Sequence, residues 1–541
     1  MEANKPTYKV LQPLILAATI AVGIMIGYKL NDKPEISLIS KHVFPKDSLY
    51  HTGRVEELIR FIENKYVDTI NNNVLIDAAI QAVLAHLDPH SIYLNPAEAK
   101  DQQDQMNGKY YGIGVENYFI DDTVHISHVI SGGPAFHGGL KVFDKIIAID
   151  TDTVAGKKLA YEDIRQKLRK AQGHDVQLLI MRDGNMQTYT LQVGEVKVRS
   201  VQSGLIPEIE TALIRIDKFG TNTYKEFMEE VEKWFGTHKA KHLIIDLRNN
   251  PGGYLPEAVN ILSQIFKEKD KMLLYTEGRS GKRNEYKTTG KYFFNIEQIV
   301  VLIDENSASA SEIIAGAIQD LDRGIIIGRR SFGKGLVQEQ FPLSNGGAIR
   351  MTVSRYYTPS GRSIQKDYTD INKYNDDIRE RYEHGDLFYK DSTTTKQSEK
   401  YYTKLYKREV PGSGGITPDI FIGLNETVKD SQSFEVYQLI PEFAFKYLSR
   451  HPQMLSKGIT GLEADENYIE AFDIFMASHQ VTSYSRKTGT QALKYFDTFK
   501  SQVEQITAKN NQDDQRIPYE DIYIKTAIST IKEGTSPKDF K

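Results

Sequence analysis

A mixed α/β fold is what this sequence of 541 residues predicts, on three observations. From about residue 199 to 365, strand-like and helix-like stretches alternate, the pattern of a mixed or parallel sheet covered by helices. Two of those strands, Leu243–Leu247 and Ile299–Ile303, are apolar at nearly every position, as strands buried on both faces are. Residues 53–105 and 430–530 carry helical patterns instead.

The length implies two to four domains, and a hydrophobic fraction of 40% suffices for packed cores. A net charge of −4 supplies no global basic field, so no nucleic-acid partner is expected. Cysteine is absent. Disulfides, thiolate zinc sites and a cysteine nucleophile are thereby excluded. The thirteen histidines contain no HExxH, and His86 and His90 straddle a proline turn, so no metal site and no cofactor are expected.

In order, residues 1–10 form a short tail. Residues 11–28 (LQPLILAATIAVGIMIGY) are uncharged and about long enough to span a bilayer. No small-x-small cleavage site follows them, which predicts an uncleaved transmembrane signal anchor. The bulk of the chain is then expected on the periplasmic side of the cytoplasmic membrane. Residues 29–52 are a polar linker. In 53–107, Val55, Leu58, Ile59 and Ile62 recur at helical spacing, Ile76–Leu87 repeats the pattern, and Asp88-Pro89-His90-Ser91 ends it. Residues 108–197 change to short strands with glycine turns, with Val124–Ile130 and Val176–Met181 as strands and Tyr161–Ala171 as a helix. Residues 198–429 hold the alternating region. There Asn345-Gly346 signals a hairpin between Leu336–Leu343 and Ala348–Tyr356. Residues 366–412 are charged, tyrosine-rich and weakly periodic, which predicts an inserted surface excursion. Residues 430–541 form a helical extension without recognisable chemistry.

Four motifs carry chemistry. Ser309-Ala310-Ser311-Glu312 fits a helix capping box. The same helix end offers free N–H groups and partial positive charge, suited to an oxyanion. Ser307 and Ser311 compete with Ser309 as candidate nucleophiles. Lys334 lies in Ser331-Phe332-Gly333-Lys334-Gly335; a buried neutral lysine can act as a base for serine. The run from Gly328 to Gly335 nearly matches the phosphate-loop pattern GxxxxGK[ST]. Gly335 stands where Ser or Thr is required, and a strand follows instead of a helix, so a nucleotide site is rejected. Asp246–Gly253 (DLRNNPGG) joins a buried strand to the helical run Tyr254–Phe266, its glycines able to aim N–H groups at a ligand. Tyr110–Val115 (YYGIGV) is a glycine-rich apolar loop of the kind that captures a peptide's terminal carboxylate.

These motifs, in this order, resemble the carboxyl-terminal processing proteases, tail-specific serine peptidases of family S41 with a PDZ domain. The resemblance runs from about 53 to 425, through Leu87–Ser91, Tyr111–Val115, Gly133-Pro134-Ala135, Asp246–Gly253, Ser307–Asp320, Ser331–Gln338, Tyr357–Gly361 and Gly415–Asp419. It implies a crotonase-like protease core over 198–429 with a PDZ domain at 108–197. It further implies Ser309 as nucleophile, Lys334 as base and Gln338 as the residue that positions it. Backbone N–H groups of Gly252 or Gly253 and of Ala310 are implied for the oxyanion hole. Tyr111, Gly112, Ile113, Gly114 and Val115 are implied to bind the substrate tail. Expected partners are proteins with apolar C-termini, the membrane, and a second copy or an adaptor on the C-terminal helices. Phe143-Asp144 and Asp150-Thr151 depart from the usual Gly-Asp and Asp-Gly of the PDZ strand. The competing reading is a non-catalytic, membrane-anchored PDZ scaffold, which would not need Ser309, Lys334 and Gln338 together.

Overall fold

The computed structural model describes residues 53–168, 173–390, 399–424, 433–457, 459, 461–481, 490–510, 519 and 521–540. The expected anchor at 11–28 and the linker at 29–52 lie outside them. No helix among the described residues is long and apolar enough to cross a membrane.

The chain divides into a unit ending at Ala82 and a second beginning at Val83. The first holds helix Gly53–Lys65, in which no residue is buried, and most of helix Asn72–Leu84.

In the second unit the central sheet has six strands in the order Val201–Ile206, Thr211–Ile216, His242–Asp246, Ile299–Ile303, Ile325–Gly328 and Ile420–Phe421. The first pair is antiparallel and the rest are parallel. Alternate side chains enter opposite cores. Leu243, Ile245, Val301 and Ile303 pack with Phe227, Ile261 and Ile314 from helices Thr223–Val231, Leu255–Ile265 and Ala310–Asp320. Ile244, Val300, Leu302, Ile325 and Ile327 pack with Tyr523, Ile524, Ala527 and Ile531 of helix Ile522–Lys532. The two-sided burial expected of these strands is present, and the far C-terminus supplies its second side.

A second, antiparallel sheet carries Ile92–Leu94, Ala348–Tyr357, Lys269–Gly278, Arg283–Thr289 and Leu336–Pro342. Its hairpin at Asn345-Gly346 forms as the turn signal predicts. Between residues 109 and 197, six strands from Val115 to Gln192 form a separate antiparallel sheet around Val124, Ile126, Ile146, Val176 and Leu178. Strand Lys109–Gly112 pairs with Gly194–Lys197 and so closes the base of this insertion.

The expectation of a surface excursion at 366–412 is corrected. Tyr382 and Leu387 are fully buried, and Arg381 is nearly so. Tyr382 inserts from helix Asp377–His384 into a core with Ile440, Phe443 and Phe472 of the C-terminal helices. Arg381 donates to the Arg330 and Ser331 carbonyls. Weak periodicity concealed this because Tyr382 and Arg381, which read as polar, bury long apolar stems beside Leu387.

Candidate active site

Strand Ile299–Ile303 ends in a turn that leads into helix Ala310–Asp320, and the three candidate serines lie along that passage. Ser307 is fully buried, donating its hydroxyl to the Leu247 carbonyl at 2.8 Å and accepting from Asp304 N at 2.9 Å. Ser311 is also fully buried and donates to the Asn250 carbonyl at 3.0 Å. Both fasten this turn to the Asp246–Gly253 turn. Ser309 is partly exposed and has a backbone φ of 53° with ψ of −113°, a conformation that costs a non-glycine residue on the order of 1–3 kcal/mol. Such strain is a feature of exposed nucleophiles at sharp strand-to-helix turns.

Glu312, at the third position of that helix, is fully buried and joins the two motifs. Its carboxylate accepts from Ser309 N at 2.8 Å, Ser331 Oγ at 2.6 Å, Gly333 N at 2.7 Å and Lys334 N at 2.9 Å. Burial pushes its pKa up while these donors pull it back. Fully buried Tyr356 adds a second bridge, its hydroxyl 2.8 Å from the Lys334 carbonyl and 3.2 Å from the Ser309 carbonyl. The serine and lysine backbones are thus held to one another by a carboxylate and a phenol.

The Lys334 side chain is mostly buried and its amine donates to Gln338 Oε1 at 2.9 Å. Gln338 Nε2 in turn donates to the His90 carbonyl at 2.6 Å. Asp88 fixes that turn by accepting from His90 N and from Ser91 N and Oγ. Burial, then the positive charge of Arg350, lower the Lys334 pKa from 10.5 to about 8, against a smaller pull from Asp88 and Glu312. His90, hydrogen-bonded to the Tyr374 hydroxyl at 2.6 Å, is lowered to about 4 by burial and by Lys334.

The third wall is the Asp246–Gly253 turn. Gly252 has φ 97°, and a Cβ there would lie 2.7 Å from both the Ala308 carbonyl oxygen and Ser309 Cβ. Gly253 has φ 145°, and a Cβ there would lie 2.1 Å from the Phe219 carbonyl oxygen. Only glycine fits either place. The Gly252 N–H donates to Asn250 Oδ1 at 2.8 Å, so of the two expected donors it is already engaged. Arg248 forks onto Asp246 at 2.7 and 2.9 Å and reaches Asp521 at 2.7 Å, all three residues being buried.

The Tyr111–Val115 loop joins the base strand Lys109–Gly112 to the first strand of the inserted sheet, away from these three walls in sequence. Its Ile113 and Gly114 carbonyls accept from Ala135 N at 2.6 Å and Ile130 N at 3.0 Å. Strand Val115–Ile120, which continues the loop, is an edge of its sheet. Tyr161 of helix Tyr161–Leu168 donates to Asn117 Oδ1 of this strand at 2.8 Å.

Sequence reasoning singled out Ser309, Lys334, Gln338, Gly252, Gly253 and Ala310, and all lie in this one neighbourhood except as their backbone engagements differ. It assigned no role to Tyr356, His90 or Arg350. The Leu87–Ser91 motif was the available signal for His90; Tyr356 and Arg350 left none, since both depend on strand register.

The model of peptidase family S41 matches residues 210–373, and that of the PDZ domain matches residues 111–193. The carboxy-terminal-processing protease of Bartonella bacilliformis is 32% identical over 321 residues, 58% of this chain and 72% of that protein. The carboxyl-terminal-processing protease of Synechocystis sp. is 32% identical over 315 residues, 56% of this chain and 72% of that protein. Among solved structures, a photosystem II D1 C-terminal processing protease is similar at 24% identity and a TM-score of 0.37, covering 69% of this chain and 94% of its own. The chain belongs to the carboxy-terminal processing proteases of peptidase family S41, serine-type peptidases, and carries a PDZ domain.

Proposed function

We propose that the protein is an endopeptidase with a Ser309–Lys334 dyad that captures apolar protein C-termini through its PDZ domain. The observation that carries this reading is the Lys334 amine. It contacts a neutral amide rather than a carboxylate, and its pKa is lowered to about 8, so a useful fraction is neutral near physiological pH. Neutral Lys334 takes the Ser309 proton as Oγ attacks the scissile carbonyl. The tetrahedral oxyanion is met by the N–H groups of Ala310 and Gly253, since that of Gly252 is engaged with Asn250. Protonated Lys334 then donates to the leaving amine, and water releases the acyl-enzyme. Gln338 orients the amine without charging it.

The engaged carbonyls of Ile113 and Gly114 support a loop whose N–H groups meet a terminal carboxylate, with the tail adding along edge strand Val115–Ile120. The core is read as crotonase-like. Residues 11–28 are read as a membrane anchor that holds the rest in the cell envelope, where substrates are processed or degraded, and the C-terminal helices as a site for a second copy or an adaptor. Incubation with an unfolded protein bearing an apolar tail tests the dyad. Wild type is expected to cut it, while Ser309→Ala and Lys334→Ala leave it intact. Equal products from all three, or cleavage that depends on Ser311 instead, would sink the assignment.

A further inference from the structure

The reaction just described uses Arg350 only as a nearby charge that helps lower the Lys334 pKa. Arg350 lies on strand Ala348–Tyr357, opposite Gln340 on one side and Ile92 on the other. Opposed residues of an antiparallel pair share a face, as do residues two apart on one strand. Gln338 stands opposite Thr352. Arg350, Thr352, Gln338 and Gln340 therefore share one face, and Arg350 is a diagonal neighbour of the residue that holds the Lys334 amine. Diagonal neighbours are about 7–8 Å apart, within reach of a long side chain. The electrostatics agree. Arg350 is the first charge to act on Lys334, and the group acting on Arg350 is the hydroxyl of Tyr254, the residue after Gly253. The guanidinium thus lies within electrostatic reach of both Lys334 and Tyr254.

It has no partner there. Arg350 is half-buried, and among the described residues its guanidinium makes no hydrogen bond and no ion pair; burial lowers its pKa. Other buried arginines of the core are tied down: Arg248 to Asp246 and Asp521, Arg329 to Glu305, Arg362 to Asp320, Arg408 to Asp322 and Asp419. A desolvated cation without an anion is costly unless something supplies the anion. Depressing the lysine needs only positive charge, whereas the arginine fork is shaped for a carboxylate.

We propose that Arg350 forms a substrate subsite that takes the side-chain carboxylate of an aspartate or glutamate just after the scissile bond. The leaving-group side follows from the proton path: Lys334 must reach the leaving amine, so groups flanking it face the residues beyond the cut. The inference rests on the dyad proposed above, and its test separates the two. Fluorescent peptides share one sequence and one apolar C-terminus, so that capture of the tail is constant, and carry Glu or Gln at each of the first three positions after the cut. Wild type is expected to favour Glu about tenfold in kcat/KM at one of these positions. Arg350→Gln levels the pair, and Arg350→Lys restores part of the difference. Equilibrium binding of the same peptides to Ser309→Ala reads the preference without turnover, with Glu again about tenfold tighter. Equal rates at all three positions, equal affinities, or a preference that survives Arg350→Gln overturns the subsite. A preference in binding with no Ser309-dependent cleavage keeps the subsite and overturns the dyad.

Discussion

Lys334 makes the active site costly to fold. Unfolded, its amine holds a proton up to its ordinary 10.5; folded, it releases the proton near 8 because burial and Arg350 disfavour the charge. Between those values the unfolded chain carries the extra proton, so stability rises with pH across that window, and the cost is present in full below about pH 8. Lys334→Met, which keeps the stem and removes the charge, should therefore stabilise the protein at pH 7 by about 2 kcal/mol. The gain should vanish by about pH 10.5. Urea unfolding at several pH values checks this; a gain that is flat with pH would contradict the assigned cause. On the proposed dyad, in which neutral Lys334 is the base, kcat/KM should climb about tenfold per pH unit below an apparent pKa near 8 and level above it. Glu312 is the other residue with a double duty. Glu312→Gln replaces one accepting carboxylate oxygen with an NH2, so that donors which now meet only acceptor oxygens face another donor, and it should cost about 2–4 kcal/mol and most of the activity. Thermal unfolding beside a cleavage assay reads both.

At the scale of elements, the site is a meeting of three turns, and glycine decides how closely the Asp246–Gly253 turn approaches the serine turn. Gly252→Ala would drive a methyl against the Ala308 carbonyl and Ser309 Cβ. A loss of about 100-fold or more in kcat, with KM little changed, is expected from steady-state kinetics, the size found when one oxyanion donor is displaced. The glycines, the serine-rich helix entrance and the lysine turn were all legible in the sequence, because each depends on residues adjacent in the chain. So were the strands Leu243–Leu247 and Ile299–Ile303, whose unbroken apolar run requires two covered faces. The choice among Ser307, Ser309 and Ser311 was not legible from their spacing. It depends on the Leu247 and Asn250 carbonyls, which sit about 60 residues away in the chain and occupy two of the three hydroxyls. The 366–390 segment was misjudged for a related reason. Its helix is anchored by Tyr382 and Arg381, and their partners lie on the lysine turn and in the C-terminal helices.

At the scale of the molecule, the far C-terminus is built into the protease core. Helix Ile522–Lys532 lays Tyr523, Ile524, Ala527 and Ile531 over the second face of the central sheet. Asp521 caps that helix through Tyr523 N and accepts from Arg248, whose neighbours in the chain form the Asp246–Gly253 turn. No periodicity in 430–541 could announce this, since the pairing joins residues 273 positions apart. The same helical extension reaches the PDZ domain, with Phe445 packed against Tyr118, His125 and Phe143, and Asn510 bonded to His128 and the Ser127 carbonyl. One extension thus touches the turn proposed to hold the oxyanion and the domain read as the tail receptor. Asp521→Ala separates these contributions. It leaves Arg248 half-paired in a buried site and the helix uncapped, while the PDZ contacts stay as they are. Removing one partner of a buried pair costs about 3–5 kcal/mol, with about 1 kcal/mol for the cap. The expected result is a clear fall in urea midpoint together with a fall in kcat, and unchanged affinity for a tail peptide. If kcat holds while the midpoint falls, the C-terminal helix serves the sheet alone and Arg248 positions the oxyanion turn without it.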